Sequence, residues 1–233
     1  MAQAFNVVLA GLAGLLLSPL LLLIALAVWL DSGRPVIYAE ARLGQFGRRF
    51  RFYKFRTLRP DYSEVQFVAP VGDRRVTRVG GFLRRWHLDE LPQLVNIMRG
   101  EMNFVGPRTE RAELWHGVAR EQRERALVHR PGLTSPAGLR YLCEDAFIAG
   151  FNDPLRIYRD IIFPAKIAED IAYFENRNPW SDLVVLFRTA TGFRVLDDPD
   201  CFRRLERLLD RAESPAAAGR IPADGGQPGP DKG

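Results

Sequence analysis

Positions 88–94 carry the run LDELPQL, in which Asp89 and Glu90 open an otherwise apolar segment. Apolar residues then recur at helical spacing and form the expected buried face: Leu91, Leu94, Val95 and Met98. Pro92 would fall in the first turn, where a missing N–H is tolerated, and Gly100 would end the helix. The run therefore predicts a helix that begins at or near Asp89.

Asp89 at a helix N-terminus has two interpretations. As a cap, its side chain would stabilise the helix by about 1 kcal/mol. The same position favours an ionised carboxylate, and such a carboxylate can attack phosphorus. Attack on an anionic pyrophosphate needs nearby cations, for which the candidates are Lys54, Arg56, Arg84 and Arg108. Asp89 and Glu90 also offer the oxygen ligands that Mg²⁺ prefers.

The chain of 233 residues has a net charge of +5, and only three of its 33 basic residues are lysines. An arginine-rich surface suits an anionic partner such as phospholipid, nucleotide or nucleic acid. An arginine-rich codon bias would produce the same excess. His87, His116 and His129 have no metal-ligand spacing. Cys143 and Cys201 form no recognisable motif, which favours a reduced compartment without a disulfide framework.

The first 30 residues contain no charged side chain, and Phe5 to Leu30 is almost continuously apolar. A single straight helix over this stretch would be about 39 Å long, which exceeds the ~30 Å hydrocarbon core of a bilayer. Eight of the nine charged residues from Arg34 to Arg59 are basic. This bias places the following domain in the cytoplasm.

Ser18 and Pro19 interrupt the apolar segment at its middle. An interior proline removes a helix hydrogen bond and kinks the helix. The residues leave two structures open: a kinked helix that spans the membrane, and a helix that bends at this point and returns to the cytoplasmic side.

The remainder predicts a small, mainly helical α+β domain. Pro35 to Leu58 is expected to form a β-hairpin with a turn at Gly44–Gly47, and Phe50, Phe52, Lys54 and Arg56 would share one face of its second strand. Several helices are expected to follow: residues 77–85, a polar helix from 109 to 129, one from Pro164, and one from Pro179 to Gly192 capped by Asn178.

The predicted boundaries are a membrane helix at 1–32, a catalytic domain at 33–196, an amphipathic helix at 197–213 and a disordered tail at 214–233. The amphipathic helix would either lie on a membrane surface or pack on the domain. The stretch at 59–76 is expected to be a loop.

Five motifs resemble the bacterial sugar transferases, in particular the minimal form of the monotopic polyprenyl-phosphate phosphoglycosyl transferases. In order along residues 5–195 they are GRPVIY (33–38), YKFRT (53–57), LDELPQL (88–94), VGPR (105–108) and RPGLT (130–134). The resemblance implies that Asp89 is the nucleophile, that Glu90 is its acidic partner and that both bind Mg²⁺. It also implies phosphate or nucleotide contacts from Lys54, Arg56, Arg84, Pro107 and Arg108.

The resemblance further implies the reaction: transfer of a sugar phosphate from a nucleotide sugar, expected to be a UDP-sugar, to polyprenyl phosphate. The bend at Ser18 and Pro19 would make the N-terminal helix re-entrant, on the cytoplasmic face of a bacterial inner membrane. Membrane lipid is an expected partner, nucleic acid is not, and a homodimer is left open. Such a protein would initiate a lipid-linked glycan.

Two departures concern substrate preference. Thr109 replaces the proline that usually follows Gly-Pro-Arg, and residues 135–139 lack the usual glycine and glutamine. A non-catalytic basic membrane protein that binds anionic lipid or nucleic acid is the alternative, and it gives Asp89 no special role.

Overall fold

The computed structural model describes residues 3–59, 72–192 and 199–213. The expected tail and most of the expected loop at 59–76 lie outside these residues. The helices are α1 (Gln3–Leu16), α2 (Ser18–Ser32), α3 (Arg78–Arg85), α4 (Leu94–Met98), α5 (Arg120–Leu127), α6 (Pro136–Arg140), α7 (Glu144–Ile148), α8 (Pro154–Ile157), α9 (Phe163–Asn176), α10 (Pro179–Gly192) and α11 (Pro199–Glu213). The strands are β1 (Ile37–Leu43), β2 (Arg49–Phe55), β3 (Asn103–Val105) and β4 (Gly132–Thr134).

The N-terminal apolar segment forms two helices, α1 and α2, that meet at Leu17 with a bend of 64°. The break falls where Ser18 and Pro19 predicted an interruption, and the Ser18 hydroxyl donates to the carbonyl oxygen of Leu15 at 2.7 Å. Within the described residues, no single helix is long and apolar enough to cross a membrane. The bent pair together meets that requirement by length and composition.

Both arms of the bent pair pack against the rest of the protein. Ala10 of α1 is fully buried in a cluster with α4 and β2, and the side-chain oxygen of Asn6 accepts from the backbone N–H of Phe104 at 3.1 Å. Ile24 and Val28 of α2 pack with Leu83 of α3. Many large apolar side chains of the pair are exposed along its two arms and around its bend: Phe5, Val8, Leu12, Leu15, Leu16, Leu20, Leu22, Leu23, Leu26, Trp29 and Leu30.

The predicted hairpin is confirmed. β1 and β2 pair antiparallel from Ile37 with Phe55 to Leu43 with Arg49. Phe52 and Lys54 share one strand face, as the period of two requires. The core beneath the hairpin contains Phe52 together with Leu94 and Ile97.

A second, parallel pair joins β3 to β4. Gly106 directly follows β3, and its backbone N–H donates to the carbonyl oxygen of Thr134 at 3.1 Å. A Cβ atom at Gly106 would collide with the backbone of Arg130 and Gly132. The close approach therefore requires glycine at this position and fixes the course of the loop that carries Arg108.

Several helix predictions need correction. α4 buries Leu94 and Ile97, whereas Met98 is 41% exposed, so the predicted face was rotated. The expected polar helix at 109–129 is divided into a 3₁₀ segment, Ala112–Gly117, and α5. Val118 between them is extended and buried, because packing that side chain in the core outweighs helix continuity.

Other predicted elements are confirmed. Thr77 caps α3 by accepting from the backbone N–H of Gly80 at 2.9 Å, and Gly100 follows α4 with a left-handed φ of 73°. α9 buries Ile167, Ile171 and Phe174. The side chain of Asn178 accepts from the N–H of Ser181 at the start of α10.

α11 packs on the domain through Cys201 and Leu205, which are 2% and 1% exposed. Cys201 forms a disulfide with Cys143, from which it is 58 residues distant in sequence. The expectation of unlinked cysteines was wrong, because the packing of α11 beside α7 brings together two residues whose spacing carries no signal.

Breaking this disulfide should destabilise the protein by up to about 4 kcal/mol, since the bond closes a long loop in the unfolded chain. Thermal unfolding with and without dithiothreitol measures the effect. In Cys201→Ser the melting temperature should be low and insensitive to the reductant. Equal melting temperatures for the oxidised and reduced wild type would contradict the pairing.

Candidate active site

Asp89 and Glu90 lie in a 3₁₀ segment, Leu88–Gln93, between α3 and α4. The segment follows His87, whose φ of 50° is left-handed, and Asp89 is 6% exposed. The helix predicted to begin at or near Asp89 begins at Leu88, but its first turns are 3₁₀ rather than α-helical. Pro92 has no N–H to donate to an i−4 carbonyl, and the α-helical pattern begins only with α4. Asp89 occupies the first turn rather than the cap.

Both carboxylates line a cavity of about 170 Å³. Cations from β1, β2, α3 and the loop after β3 line it too: Arg42, Lys54, Arg84 and Arg108. The remaining polar wall comes from the loop after Arg108 and from α6 through α9: Glu110, Tyr141, Glu144, Asp145, Tyr158 and Lys166. The fold thus assembles the cavity from distant parts of the chain.

The two neighbouring carboxylates have different electrostatic surroundings. Burial and the charge of Glu90 raise the pKa of Asp89, against the opposing effect of Lys54 and Arg84. Burial also acts to raise the pKa of Glu90, but Arg108 and other cations outweigh it and lower that pKa. A position in the first helical turn favours the ionised form of Asp89, whereas burial and the charge of Glu90 act in the opposite direction.

Arg108 lies between two carboxylates. Its Nη1 atom is 3.7 Å from Glu90 Oε1 and its Nε atom is 3.4 Å from Glu110 Oε1. Burial alone would lower the pKa of Arg108, but these charges raise it well above the ordinary value. Both distances exceed the 2.7–2.9 Å typical of a charge-assisted hydrogen bond, so the guanidinium can turn toward an anionic ligand.

A buried network holds the hairpin against the loop that carries Arg108. Arg42 donates to Glu40 Oε1 at 2.6 Å and to the carbonyl oxygen of Thr109 at 2.7 Å, and its guanidinium lies over the ring of Phe52. Burial would raise the pKa of Glu40, but Arg42 and other cations lower it to about 2. The network keeps Glu40 ionised and fixes the edge of the cavity.

The structure brings Lys54 and Arg84 into the cavity with the carboxylate pair, as predicted from the sequence, but not Arg56. The Nη2 atom of Arg56 donates to the carbonyl oxygens of Ser32 and Gly33 at the end of α2. Arg56 was expected on the same strand face as Lys54, but β2 ends at Phe55, so the alternation of side chains does not extend to Arg56.

Pro107 is not among the residues that line this cavity. It is buried, and its carbonyl oxygen accepts from the N–H of Gly132 at 3.1 Å. Its contact is therefore structural and supports the loop before Arg108.

Sequence reasoning missed several charged residues in the cavity. Glu110 accepts from the Tyr158 hydroxyl at 2.9 Å. Lys166 is 1% exposed and donates to both oxygens of Glu144 at 2.6 Å. The alternation of Glu40 and Arg42 along β1 was a usable signal, whereas nothing local distinguishes Lys166 on its helix.

A second cavity shares His87, Glu90, Arg108, Gly138 and Leu142 with the first. Its remaining lining is mostly apolar or backbone, with a few hydroxyl groups: Gly106, Gly132, Leu133, Thr134, Ser135, Leu139 and Thr189. Arg108 therefore borders both a charged and a less polar space.

The carboxylate pair fits a magnesium ion bound together with a phosphate. Among the described residues, no group of three or more His, Cys, Asp or Glu side chains could hold a metal. Mg²⁺, however, is commonly held by one or two carboxylates, with water and substrate phosphate completing its coordination. A cation here would oppose the charge repulsion that raises the pKa of Asp89.

Fold and site together define a protein that places paired carboxylates and several cations beside an apolar bent helix pair. The family model for bacterial sugar transferases matches residues 1–195. The chain belongs to the bacterial sugar transferase family, and it is a transferase.

Three relatives illustrate the similarity. A UDP-glucose:undecaprenyl-phosphate glucose-1-phosphate transferase of Caulobacter vibrioides is 36% identical over 209 residues, covering 84% of this chain and 70% of that protein. The exopolysaccharide production protein PSS of Rhizobium leguminosarum bv. phaseoli is 34% identical, and the match covers 82% of this chain and 93% of that protein. A UDP-N-acetylgalactosamine-undecaprenyl-phosphate N-acetylgalactosaminephosphotransferase of Aeromonas hydrophila is also 34% identical, and the match covers 82% of this chain and 44% of that protein.

Asp170 anchors the loop behind the site. Its two carboxylate oxygens accept from the backbone N–H groups of Arg108 and Ala137, each at 3.1 Å. The residue is fully buried. Burial raises its pKa to about 6, although these hydrogen bonds act in the opposite direction.

Asp170 should make stability depend on pH. Because its pKa is higher in the folded than in the unfolded protein, its protonation favours folding, and that contribution is lost as the pH rises from about 4 to above 6. The wild type should lose about 2–3 kcal/mol of unfolding free energy relative to Asp170→Asn over this range. Urea unfolding of both proteins from pH 4 to 7 tests this, and parallel pH dependences would contradict it.

Proposed function

We propose that the protein transfers a sugar phosphate from a UDP-sugar to polyprenyl phosphate and releases uridine monophosphate. The observation that carries the proposal is the pair Asp89 and Glu90, of which Asp89 is buried, in one cavity with Lys54, Arg84 and Arg108. The Caulobacter and Aeromonas relatives are named for this class of reaction, each with a different sugar. They support the reaction class without determining the sugar used by this chain.

The reaction proceeds in two displacements. A carboxylate oxygen of Asp89 attacks the phosphorus that bears the sugar and forms an acyl phosphate. The bond from that phosphorus to the oxygen of uridine monophosphate breaks, and the nucleotide leaves with the electron pair. An oxygen of polyprenyl phosphate then attacks the same phosphorus, which forms the sugar-bearing diphosphate and restores the Asp89 carboxylate.

The cations reduce the repulsion between the carboxylate and the anionic donor. Lys54 and Arg84 act on Asp89 directly, since both lower its pKa and so favour the ionised nucleophile. Arg108 offers a planar fork of donors that matches a phosphate. Its distances to Glu90 and Glu110 leave it able to exchange these partners for substrate.

Glu90 is the acidic partner of Asp89. Its lowered pKa keeps it ionised, and its charge holds Arg108 beside the nucleophile. Mg²⁺ would be held by Asp89 and Glu90, where it would supply charge neutralisation at the phosphoryl oxygens.

The bent pair α1–α2 acts as a re-entrant membrane helix in this proposal. Asn6 in α1 and Val28 in α2 are both buried against the domain, so both ends of the pair lie on the same side. The apolar residues around the bend are exposed and suit the acyl region of one leaflet. The basic stretch after α2 then favours the cytoplasmic face of a bacterial inner membrane.

The product would be a polyprenyl diphosphate sugar, the first intermediate of a lipid-linked glycan. The Rhizobium relative is named as an exopolysaccharide production protein. An exopolysaccharide is accordingly the glycan that we infer, and the lipid acceptor reaches the site from the membrane that holds α1 and α2.

Arg108→Lys should lower kcat/KM about 10- to 100-fold, because lysine keeps the charge but lacks the planar fork. The assay is release of uridine monophosphate from a UDP-sugar with polyprenyl phosphate. Arg125→Lys is the matched control, since Arg125 pairs with Glu175 in an exposed bridge. Equal rates for Arg108→Lys and wild type would count against a bidentate phosphate contact from Arg108.

Gln3→Cys should react with a membrane-impermeant maleimide only after spheroplasts are permeabilised. Gln3 is exposed at the start of α1, whereas Cys143 and Cys201 are buried in their disulfide. Labelling of intact spheroplasts would establish a spanning helix. Pro19→Leu should shift the protein toward that spanning state, because it removes the obstacle of about 3 kcal/mol to a straight helix.

Incubation with a UDP-sugar and Mg²⁺, without lipid acceptor, should add one sugar-phosphate mass to the wild-type protein. Asp89→Asn should fold normally yet form no adduct, since the amide has nearly the same shape but is not a nucleophile. Glu90→Gln should fold and turn over slowly. Intact-protein mass spectrometry and thermal unfolding provide the measurements. Wild-type transfer by Asp89→Asn would refute the covalent mechanism.

A further inference from the structure

Glu144 and Lys166 form a buried ion pair in the wall of the cavity that holds Asp89. Lys166 donates to both carboxylate oxygens of Glu144 at 2.6 Å, and the exposed fractions of their side chains are 2% and 15%, respectively. Neither residue takes part in the two proposed displacements at phosphorus. A buried charge pair is a weak source of stability, so its position in the cavity calls for another explanation.

The cavity has two electrostatically distinct parts. Lys54 and Arg84 are the cations that act most strongly on Asp89. Around Glu144 the strongest charges are those of Lys166, Asp145 and Arg108. Arg108 therefore connects a part suited to phosphate with a part that carries two carboxylates on α7.

The α7 part is unsuited to a phosphate group, because Glu144 and Asp145 would repel it. It is suited to a neutral group rich in hydroxyls. A carboxylate has about four lone-pair sites, of which Lys166 occupies two, and the ammonium group has a third N–H. The pair thus presents both acceptors and a donor, the combination that adjacent sugar hydroxyls require.

We propose that Glu144, held in position by Lys166, hydrogen-bonds hydroxyl groups of the sugar that is transferred and so helps to determine which UDP-sugar the protein uses. This inference rests on the proposed function. The sugar is attached to the phosphorus that Asp89 attacks, so it must occupy the space next to the phosphate-binding part of the same cavity. In this proposal the nucleoside faces the less polar second cavity, on the other border of Arg108.

The test compares kcat/KM for UDP-glucose, UDP-galactose and UDP-N-acetylgalactosamine in the wild type, Glu144→Gln and Glu144→Asp. The ratio between the best donor and the others should fall about tenfold or more in the variants, because the lost hydrogen bond belongs to particular hydroxyls. Inhibition by uridine monophosphate should remain at the wild-type constant, since this product has no transferred sugar.

Two variants protect the test against a folding defect. Glu144→Gln leaves Lys166 buried without its anion. Glu144→Asp keeps the charge pair, but its shorter side chain moves the carboxylate away from the sugar hydroxyls. Glu175→Gln is the matched control: it breaks the Arg125–Glu175 pair, neither residue of which lines this cavity, and its donor ratios should equal those of the wild type. Thermal unfolding of each protein accompanies the kinetics.

The outcomes separate this inference from the proposed function. If the wild type releases no uridine monophosphate from any donor, the proposed function fails, and the inference fails with it. If the wild type transfers sugar phosphate but the Glu144 variants keep its donor ratios, only the inference is overturned. Unchanged ratios with weaker inhibition by uridine monophosphate would place Glu144 against the nucleoside and equally overturn it.

Discussion

The position of Arg108 between Glu90 and Glu110 is the constraint on which the site depends. Carboxylates are costly to bury unless a cation neutralises them, and this cavity contains several. The fold supplies the cation through a short parallel strand pair, in which the close contact of Gly106 with the β4 backbone fixes the loop that follows. Asp170 then holds the backbone N–H of Arg108. Backbone packing thus positions a charge that the carboxylates require.

The same neutralisation explains why two adjacent carboxylates can differ in reactivity. Arg108 lies near Glu90 and lowers its pKa, whereas at Asp89 burial and the charge of Glu90 outweigh the opposing charges of Lys54 and Arg84 and raise the pKa. A carboxylate whose charge is incompletely compensated is the one most stabilised in its ionised form when a phosphate arrives together with a cation. The geometry therefore gives Asp89 the reactive role in our proposal and gives Glu90 the supporting one.

Sequence reasoning succeeded where the signal was local. The turn at Gly44–Gly47, the short helix at 77–85 and the stop at Gly100 follow from preferences of a few neighbouring residues, and the structure has all three. It failed where distant contacts decide. The buried face of α4 is set by packing against α1 and β2, and the Cys143–Cys201 bond is set by the docking of α11. Neither contact can be predicted from the spacing of residues along the chain.

The bent helix pair has a consequence for the height of the site above a membrane. α2 packs on α3, directly before the segment that carries Asp89, and α1 packs on α4, directly after it. Arg56 further ties the end of α2 to the hairpin. The two arms thus hold both ends of the reactive segment, so the depth of the bend in the lipid would determine the height of Asp89. In the proposed reaction a lipid-bound phosphate would stay at the membrane surface, and a nucleophile held at that height would need no separate motion to meet it.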